Sequence, residues 1–383
     1  MVSIVGWGHS KFGKLDATLE QLIVGVAGEA MHHARIAPAK IDGIWLGHFN
    51  AGIVDDAFAS SLVLNAHPDL RWCPATRVEN ACASGAAAMA AAIDAIRSGR
   101  IEAALVVGAE KMTHCSTAEA ATCLSRGTYQ DTEAGITFPE VFARYARAYA
   151  ARFGDPRDAM AMIAAKNSQN ALSNPLAQFH RALDFDFCST TSRRNPIIAD
   201  PLRLTDCSPI TDGAAAVVLV ADEAAAEFPQ AVRICATAQV SDFLPMANRD
   251  LSELEGPRRA MRQAMEMAGV ALDDLDFAEL HDCFTISELM LYEALGLAEP
   301  GQGAEVLKVG ATHRGGALPV NLSGGLKAKG HPVGATGVSM HVLAARQLTG
   351  NAGDMQVPGA ECGMIFNMGG AAVSNYCSIL ARA

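Results

Sequence analysis

The chain has 383 residues, half of them hydrophobic, and a net charge of −11. This length and composition allow a large buried core and favour two domain-sized units. The negative charge argues against nucleic-acid binding, because that function needs a basic surface to neutralise phosphates. No run of about 18 uncharged apolar residues occurs, and the first residues lack the basic start and apolar stretch of a secretion signal. We therefore expect a cytoplasmic protein without membrane insertion.

The ten cysteines are scattered along the chain. None forms a C-x-x-C pair, and no Cys/His group has the spacing of zinc ligands. The sequence therefore predicts free thiols, with neither a disulfide framework nor a metal site.

The first predicted elements are repeated later in the chain. Residues 27–49 (AGEAMHHARIAPAKIDGIWLGHF) align with residues 261–284 (MRQAMEMAGVALDDLDFAELHDCF) at a constant offset of 234. Each copy is typical of an amphipathic helix, a short turn and a buried strand. The pattern indicates a duplicated unit.

The next element, VENACASGAAA at residues 78–88, places Cys82 before a helix of alanine and glycine. A cysteine in such a helix is usually a small buried hydrophobic residue. At a helix N-terminus, however, the helix dipole can lower the thiol pKa from about 8.5 toward neutrality and favour a nucleophilic thiolate. Both interpretations stay open on this segment alone.

An insertion is predicted in the first copy, since GAAAVVLV from Gly213 matches GGAAVSNYCSIL from Gly369 at an offset of only 156. FPEVFARYARAYAARFG and RDAMAMIAAKNSQNAL within it are typical of helices separated by Gly-Asp-Pro. We expect an N-terminal half of residues 1–114 and 202–225, an inserted loop domain of residues 115–201 that covers the substrate, and a C-terminal half of residues 226–383.

The alternation of strands and helices in each half predicts an α/β fold with a mostly parallel sheet per half. Two such sheets that share buried helices would form a five-layered α/β/α/β/α body. The alanine-rich helix after Cys82 lacks a polar face until Asp94, which favours complete burial. Its small residues would allow close approach to the helix in GATGVSMHVLAA of the other half.

Three further segments carry candidate chemistry. His331 in GGLKAKGHPVGATG begins the helix that mirrors the helix of Cys82, and the loop lacks the spacing of a nucleotide-phosphate loop. His281, Asp282 and Cys283 end the buried strand of the second copy, where they either face a ligand crevice or form a structural pair. The turn in CGMIFNMGG is either a tight bend or a means of bringing a backbone N–H close to a reacting carbonyl.

These four motifs, in this order and spacing, resemble the thiolase superfamily, specifically thiolases of the sterol-carrier-protein type. The resemblance extends over the whole chain and implies the thiolase fold. It implies that Cys82 is acylated by an acyl-CoA, that His331 activates Cys82, and that the N–H groups of Cys82 and Gly369 hold the oxyanion.

The sequence departs from most thiolases at two positions. His281 stands where an Asn usually begins the segment, and Asn367 replaces the usual second catalytic cysteine. In the sterol-carrier-type branch the cysteine of HDCF takes the acid/base role, which the resemblance assigns to Cys283. His281 would then help His331 to hold an enolate oxygen.

The resemblance implies an acyl-CoA C-acyltransferase that forms or cleaves a 3-ketoacyl-CoA, with coenzyme A as substrate or product and no permanently bound cofactor. A degradative role toward fatty acids or sterols would suit such an enzyme. The alternatives are a thiolase-like aldolase that works beside a small accessory protein, a polyketide-like acyltransferase, and a non-catalytic acyl-CoA-binding subunit. Cys82 counts against the aldolase, whose branch lacks the nucleophile.

The resemblance also implies a homodimer or homotetramer and a local basic cluster for coenzyme A. The insertion and the segment that returns from it to the core contain four arginines that are candidates for this cluster, at positions 181, 193, 194 and 203. As substrate-binding residues we name Arg193, Arg194, Ser323 and Gly324.

Overall fold

The computed structural model describes all residues from Met1 to Ala383. The strands are β1 Val2–His9, β2 Gly43–Gly47, β3 Ala75–Val78, β4 Ala103–Glu110, β5 Ile197–Ala199, β6 Leu202–Arg203, β7 Gly213–Ala221, β8 Val232–Ser241, β9 Phe277–Glu279, β10 Cys362–Gly369 and β11 Ser374–Arg382. The α-helices are α1 Leu19–Ala34, α2 Ser84–Arg97, α3 Thr117–Leu124, α4 Gln130–Glu133, α5 Phe138–Phe153, α6 Arg157–Ala171, α7 Phe185–Ser189, α8 Glu255–Ala268, α9 Thr285–Leu295, α10 Gly303–Lys308, α11 Gly325–Lys329 and α12 Thr336–Leu348.

Nine strands form one continuous sheet in the order β3-β2-β4-β7-β1-β8-β11-β10-β9. Its two halves meet where β1 pairs with β8, from Val2 opposite Ile234 to Ile4 opposite Val232. The half-sheets of the two repeats are therefore joined at one edge.

The prediction of a mostly parallel sheet is wrong. Only β2 with β3, β2 with β4 and β9 with β10 run parallel, and the other five pairs of neighbours are antiparallel. A parallel pair needs a long crossover, whereas β10 and β11 are joined by a turn of residues 370–373 that permits only antiparallel pairing.

The duplication is visible in the sheet. The first half has the order β2-β4-β7-β1 and the second the corresponding order β9-β10-β11-β8. Glu110 pairs with Gly213 in the first half, as Gly369 pairs with Ser374 in the second. The true offset from Gly213 to Ser374 is 161, so the predicted offset of 156 is wrong: the matched segment starts at Gly369, the last residue of β10, and continues into the turn of residues 370–373 before β11.

Strand β4 is apolar up to its last residue, Glu110, because both of its faces are covered. Leu105 and Val107 pack with α1 in an outer cluster, and Ala104 and Val106 pack in the cluster that contains α2 and α12. Helix α8 covers β8 and β11 of the second half-sheet. The layers are thus helix, half-sheet, paired central helices, half-sheet and helix, which confirms the predicted five-layered α/β fold.

The two central helices approach each other through glycines. A Cβ on Gly85 would lie 2.7 Å from the carbonyl oxygen of Gly334, and one on Gly337 would lie 2.3 Å from the backbone nitrogen of Ala86. These distances are shorter than any van der Waals contact, so the starts of α2 and α12 meet only because side chains are absent.

Helices α5 and α6 occupy the two helical stretches predicted in the insertion, on either side of residues 154–156. The start of α5 is fixed by a capping box between Thr137 and Glu140, with Pro139 in the first turn. The proposed boundaries of the inserted domain stay a prediction. No helix of the structure is both long enough and apolar enough to cross a membrane.

Candidate active site

Cys82 lies in a single 3₁₀ turn, Ala81–Ala83, immediately before α2. The hydroxyl of Ser84 accepts a hydrogen bond from the N–H of Asn80 at 3.0 Å and closes this turn. The Cys82 side chain is 8% exposed. The structure therefore presents the thiol at a helix start, as predicted, but inside the molecule.

Two histidines from different segments converge on this thiol. The Sγ of Cys82 and one ring nitrogen each of His281 and His331 all lie within 4.8 Å of one another. The two imidazole rings meet edge to face, with their centroids 5.2 Å apart. His281 follows β9, and His331 lies in the loop between α11 and α12. The convergence thus joins both halves of the duplication.

His331 is held by Thr336 in the first turn of α12, whose Oγ1 lies 2.6 Å from Nδ1. The other ring nitrogen, Nε2, is buried and has no hydrogen-bond partner. Burial and the nearby charge of Lys329 lower the pKa of His331 to about 3. The ring is therefore neutral at pH 7 with one nitrogen available.

The thiol of Cys82 does not have the lowered pKa that its place at a helix start suggested. Burial raises the pKa to about 12, and the opposing hydrogen bond from the backbone N–H of Gly370 does not compensate. The expectation of a lowered pKa is therefore wrong for the free protein, because the cost of burying a charge exceeds the favourable dipole. Cys82 is a thiol at neutral pH.

The backbone N–H of Gly370 forms a hydrogen bond to the Cys82 thiol, and Gly369 as a donor to the oxyanion stays a prediction. Gly369 is still the last residue of β10, and a Cβ there would lie 2.1 Å from the carbonyl oxygen of Asn80. Gly369 therefore allows the strand to pack against the turn of Cys82. The sequence signal for Gly370 was the second glycine of NMGG.

Cys283 is the second thiol of the site and is 5% exposed. Burial raises its pKa well above the ordinary value, and the neighbouring Cys82 adds to this effect. The nearby hydroxyl of Ser287 and N–H of Phe284 oppose this rise in the pKa without cancelling it. The two cysteines are thus close together and both protonated.

His281 and Asp282 do not form the structural pair that the sequence left open. The Nδ1 of His281 lies 2.8 Å from the amide nitrogen of Asn367. Asp282 turns away and accepts hydrogen bonds from the N–H of Leu326 at 2.6 Å and from Asn167 at 2.7 Å. Asp282 therefore anchors the loop that precedes His331, while His281 faces the thiol.

Glu110 at the end of β4 is a supporting residue that the sequence analysis missed. Its buried carboxylate accepts hydrogen bonds from the N–H groups of Phe49, Asn50 and Gly334 at 3.0 Å each, beside His48. It thereby ties the loop of His331 to the first half-sheet. The available signal in the sequence was Glu110 itself, a single acidic residue at the end of the apolar run AALVVGAE.

A cavity of about 350 Å³ opens onto Cys82, Cys283 and His331. Thirteen of its nineteen lining residues are hydrophobic, and none is an acid, a lysine or an arginine. Leu124, Phe138 and Phe142 in the inserted region form part of its wall. The site is therefore the base of an apolar pocket.

The predicted substrate-binding residues fall into two groups. Ser323 is buried, and its hydroxyl donates to Glu279 at 2.6 Å, while Gly324 packs against Ala171. Neither lines the cavity, and their role as ligand contacts stays a prediction. Arg193 and Arg194 are exposed on the inserted segment and stay a prediction.

The class of protein is defined by two family models. The thiolase N-terminal domain matches residues 2–223, and the thiolase C-terminal domain-like family matches residues 238–382. The chain therefore belongs to the thiolase family, which confirms the resemblance found in the sequence.

Individual relatives specify the activity further. The chain is 37% identical to the acetyl-CoA acetyltransferase of Methanothermobacter thermautotrophicus, with 100% of this chain and 99% of that protein aligned. It is 30% identical to sterol carrier protein 2 of Bos taurus over 96% of this chain and 70% of that protein. A solved Ltp2-ChsH2(DUF35) aldolase shares the fold, with a TM-score of 0.84 at 22% identity, over 100% of this chain and 97% of that one. The protein is an acyltransferase that acts on acyl-CoA.

Proposed function

We propose that this enzyme forms, or cleaves with coenzyme A, a 3-ketoacyl-CoA through an acyl group carried on Cys82. The observation that supports this function is the meeting of the Cys82 thiol with His331 and His281 within 4.8 Å. Cys283 adds a second thiol in the same cavity. A nucleophile beside a neutral base is the arrangement that covalent acyl transfer needs.

In the cleavage direction, Sγ of Cys82 attacks the C3 carbonyl while its proton moves to Nε2 of His331. Since the resting thiol has a pKa of about 12, proton transfer accompanies attack instead of preceding it. The N–H groups of Cys82 and Gly369 are the candidate donors to the resulting oxyanion, and Gly370, whose N–H bonds the thiol, is a further candidate. One such donor contributes about 3 kcal/mol.

The C2–C3 bond then breaks, and His281 stabilises the enolate oxygen of the shorter acyl-CoA. The thiol of Cys283 protonates C2 and becomes a thiolate. Coenzyme A enters, gives its proton to Cys283 and attacks the acyl group, and the released Cys82 sulfur recovers its proton from His331. The reverse sequence makes a carbon–carbon bond.

The apolar wall of the cavity suits an aliphatic or alicyclic acyl group, in line with a role in fatty acid or sterol degradation. Arg193 and Arg194 stay our candidates for the phosphates of coenzyme A. A homodimer or homotetramer in the cytoplasm stays our expectation for the assembly.

The test is mass spectrometry of the Cys82 peptide after incubation with acetyl-CoA or octanoyl-CoA. We expect one acyl group on Cys82, and a fall in transferase activity of at least about 1,000-fold in Cys82→Ala. The matched control is Cys188→Ala, which removes a buried thiol of α7 outside the cavity and should keep the activity. An unmodified Cys82 with cleavage of a 3-hydroxyacyl-CoA would establish the aldolase alternative.

A further inference from the structure

Asn367 is a fully buried residue of β10 that contacts two members of the site. Its amide nitrogen lies 2.8 Å from Nδ1 of His281 and 3.1 Å from the carbonyl oxygen of Cys82. The amide therefore bridges the acid/base segment and the nucleophile turn.

The orientation of this amide follows from its partners. The carbonyl oxygen of Cys82 can only accept, so the atom facing it must be the NH₂ group. This nitrogen has two hydrogens and donates both, one to the carbonyl and one to His281. Since Nδ1 of His281 accepts, the neutral ring carries its proton on Nε2.

His331 has the opposite tautomer. The hydroxyl of Thr336 donates to the carbonyl oxygen of Pro332 at 3.0 Å, so it accepts from Nδ1 of His331. The unpartnered Nε2 of His331 therefore carries a lone pair. One imidazole is thus a donor and the other an acceptor, although both are neutral histidines beside one thiol.

One thiol and two imidazoles within 4.8 Å of one another are also a ligand set for zinc. A histidine that binds zinc must direct a lone pair at the metal, and it usually donates its other N–H to a carboxylate or carbonyl. His281 cannot do this, because Nδ1 faces an N–H group and Nε2 carries the proton.

We propose that Asn367 is a positioning residue that fixes His281 as the Nε2–H tautomer and thereby prevents Cys82, His281 and His331 from binding a divalent metal. The donor role of His281 toward a substrate oxygen rests on the proposed function. The exclusion of metal does not, because it follows from the tautomer alone.

Asn367→Asp reverses this arrangement. The carboxylate accepts a hydrogen bond from Nδ1–H of His281. The ring proton therefore moves from Nε2 to Nδ1, and Nε2 is left with a lone pair. Cys82 then releases its proton to solvent, and its sulfur and the two Nε2 atoms bind Zn²⁺ with water as fourth ligand. The change should convert the site into a zinc site of the carboxylate–histidine–metal type.

The tautomer is measured on the full chain by ¹⁵N NMR of the histidine rings, with the signals of His281 assigned through a His281→Gln variant. We expect the Nε2–H form in the wild type and the Nδ1–H form in Asn367→Asp. Asn367→Ala, which removes the donor altogether, should show a mixture of both forms. An Nδ1–H form of His281 in the wild type would overturn the proposal whatever the variants do.

Metal is measured after incubation with equimolar Zn²⁺ and removal of unbound ion. We expect about one equivalent in Asn367→Asp, its loss in Asn367→Asp/Cys82→Ala, and less than about a tenth in the wild type. The control is Asn375→Asp, which changes a buried asparagine of β11 that bonds only backbone carbonyls and should stay metal-free. Equal zinc content in the wild type and Asn367→Asp would also contradict the proposal.

Activity separates this inference from the proposed function. Metal-free Asn367→Asp should acylate Cys82 within about tenfold of the wild-type rate, while transfer to a second acyl-CoA falls about 100-fold, the effect of losing one oxyanion donor. If Cys82 of the wild type is not acylated, the proposed function is refuted. The tautomer and metal measurements do not depend on that result.

Discussion

Burial sets the protonation of every reactive side chain in the site. It raises the pKa values of Cys82 and Cys283 and lowers those of His281 and His331. The resting site therefore holds two thiols and two neutral imidazoles. These groups become charged only when they react with a substrate. The hydrogen-bond donors and acceptors around each group therefore determine its role.

Cys283→Ala separates the two thiols. We expect the variant to form the acyl group on Cys82 but to exchange the α-proton of acetyl-CoA with D₂O at least about 100-fold more slowly, because a general acid/base group is removed. Exchange is followed by ¹H NMR, with Cys188→Ala as the control. Retained exchange would place the acid/base group elsewhere.

The motifs correctly predicted that Cys82, His281, Cys283 and His331 are neighbours, because the residue types and the order of these segments can be read from the sequence. Burial is a different matter. Ser323 lies in a glycine-rich segment that suits a ligand loop. Its hydroxyl nevertheless donates a hydrogen bond to Glu279, which lies 44 residues away in sequence. No local pattern reports such a pairing.

At the scale of elements, the repeated helix and strand were predictable from periodicity, and α5 from its apolar spacing and capping residues. Strand direction was not, since it depends on whether a connection crosses the sheet or turns back. The offset between β7 and β11 was misjudged because GGAA resembles GAAA in composition, although its last three residues lie in the turn between β10 and β11.

The contact between α2 and α12 gives an element-scale prediction. Gly337→Ala should lower the free energy of unfolding by about 1–3 kcal/mol, because its methyl group would meet the backbone of Ala86 and the amide oxygen of Asn367. In Gly28→Ala of α1 the added methyl group has no neighbour within 4 Å. This variant should raise the free energy of unfolding by about 0.5–1 kcal/mol. Urea denaturation measures both, and equal effects would refute the tight contact.

At the scale of the whole molecule, buried neutral histidines make stability depend on pH. His341 of α12 bonds the carbonyl of Gly337 at 2.7 Å and Ser378 at 3.0 Å, and burial lowers its pKa from 6.5 to about 4. The unfolded chain binds this proton below pH 6.5 and the folded chain does not. The contribution of His341 is therefore complete above pH 6.5 and is lost as the pH falls toward 4.

His341→Gln isolates this contribution from those of all other groups. The difference in unfolding free energy between wild type and variant should shift by roughly 2 kcal/mol in favour of the variant between pH 7.5 and pH 5. Urea titrations at the two pH values give this difference. Parallel stability profiles would show that His341 binds its proton equally well in both states.

The last strand has a consequence for synthesis of the chain. Since β11 is paired on both sides, with β8 and with β10, the second half-sheet cannot close until residue 382 has left the ribosome. Cys82 is translated early, but Asn367 and Gly370 reach it only after β11 has been made. A nascent chain, or one truncated before β11, thus carries a nucleophile without its donors, and catalytic competence requires a closed second half-sheet.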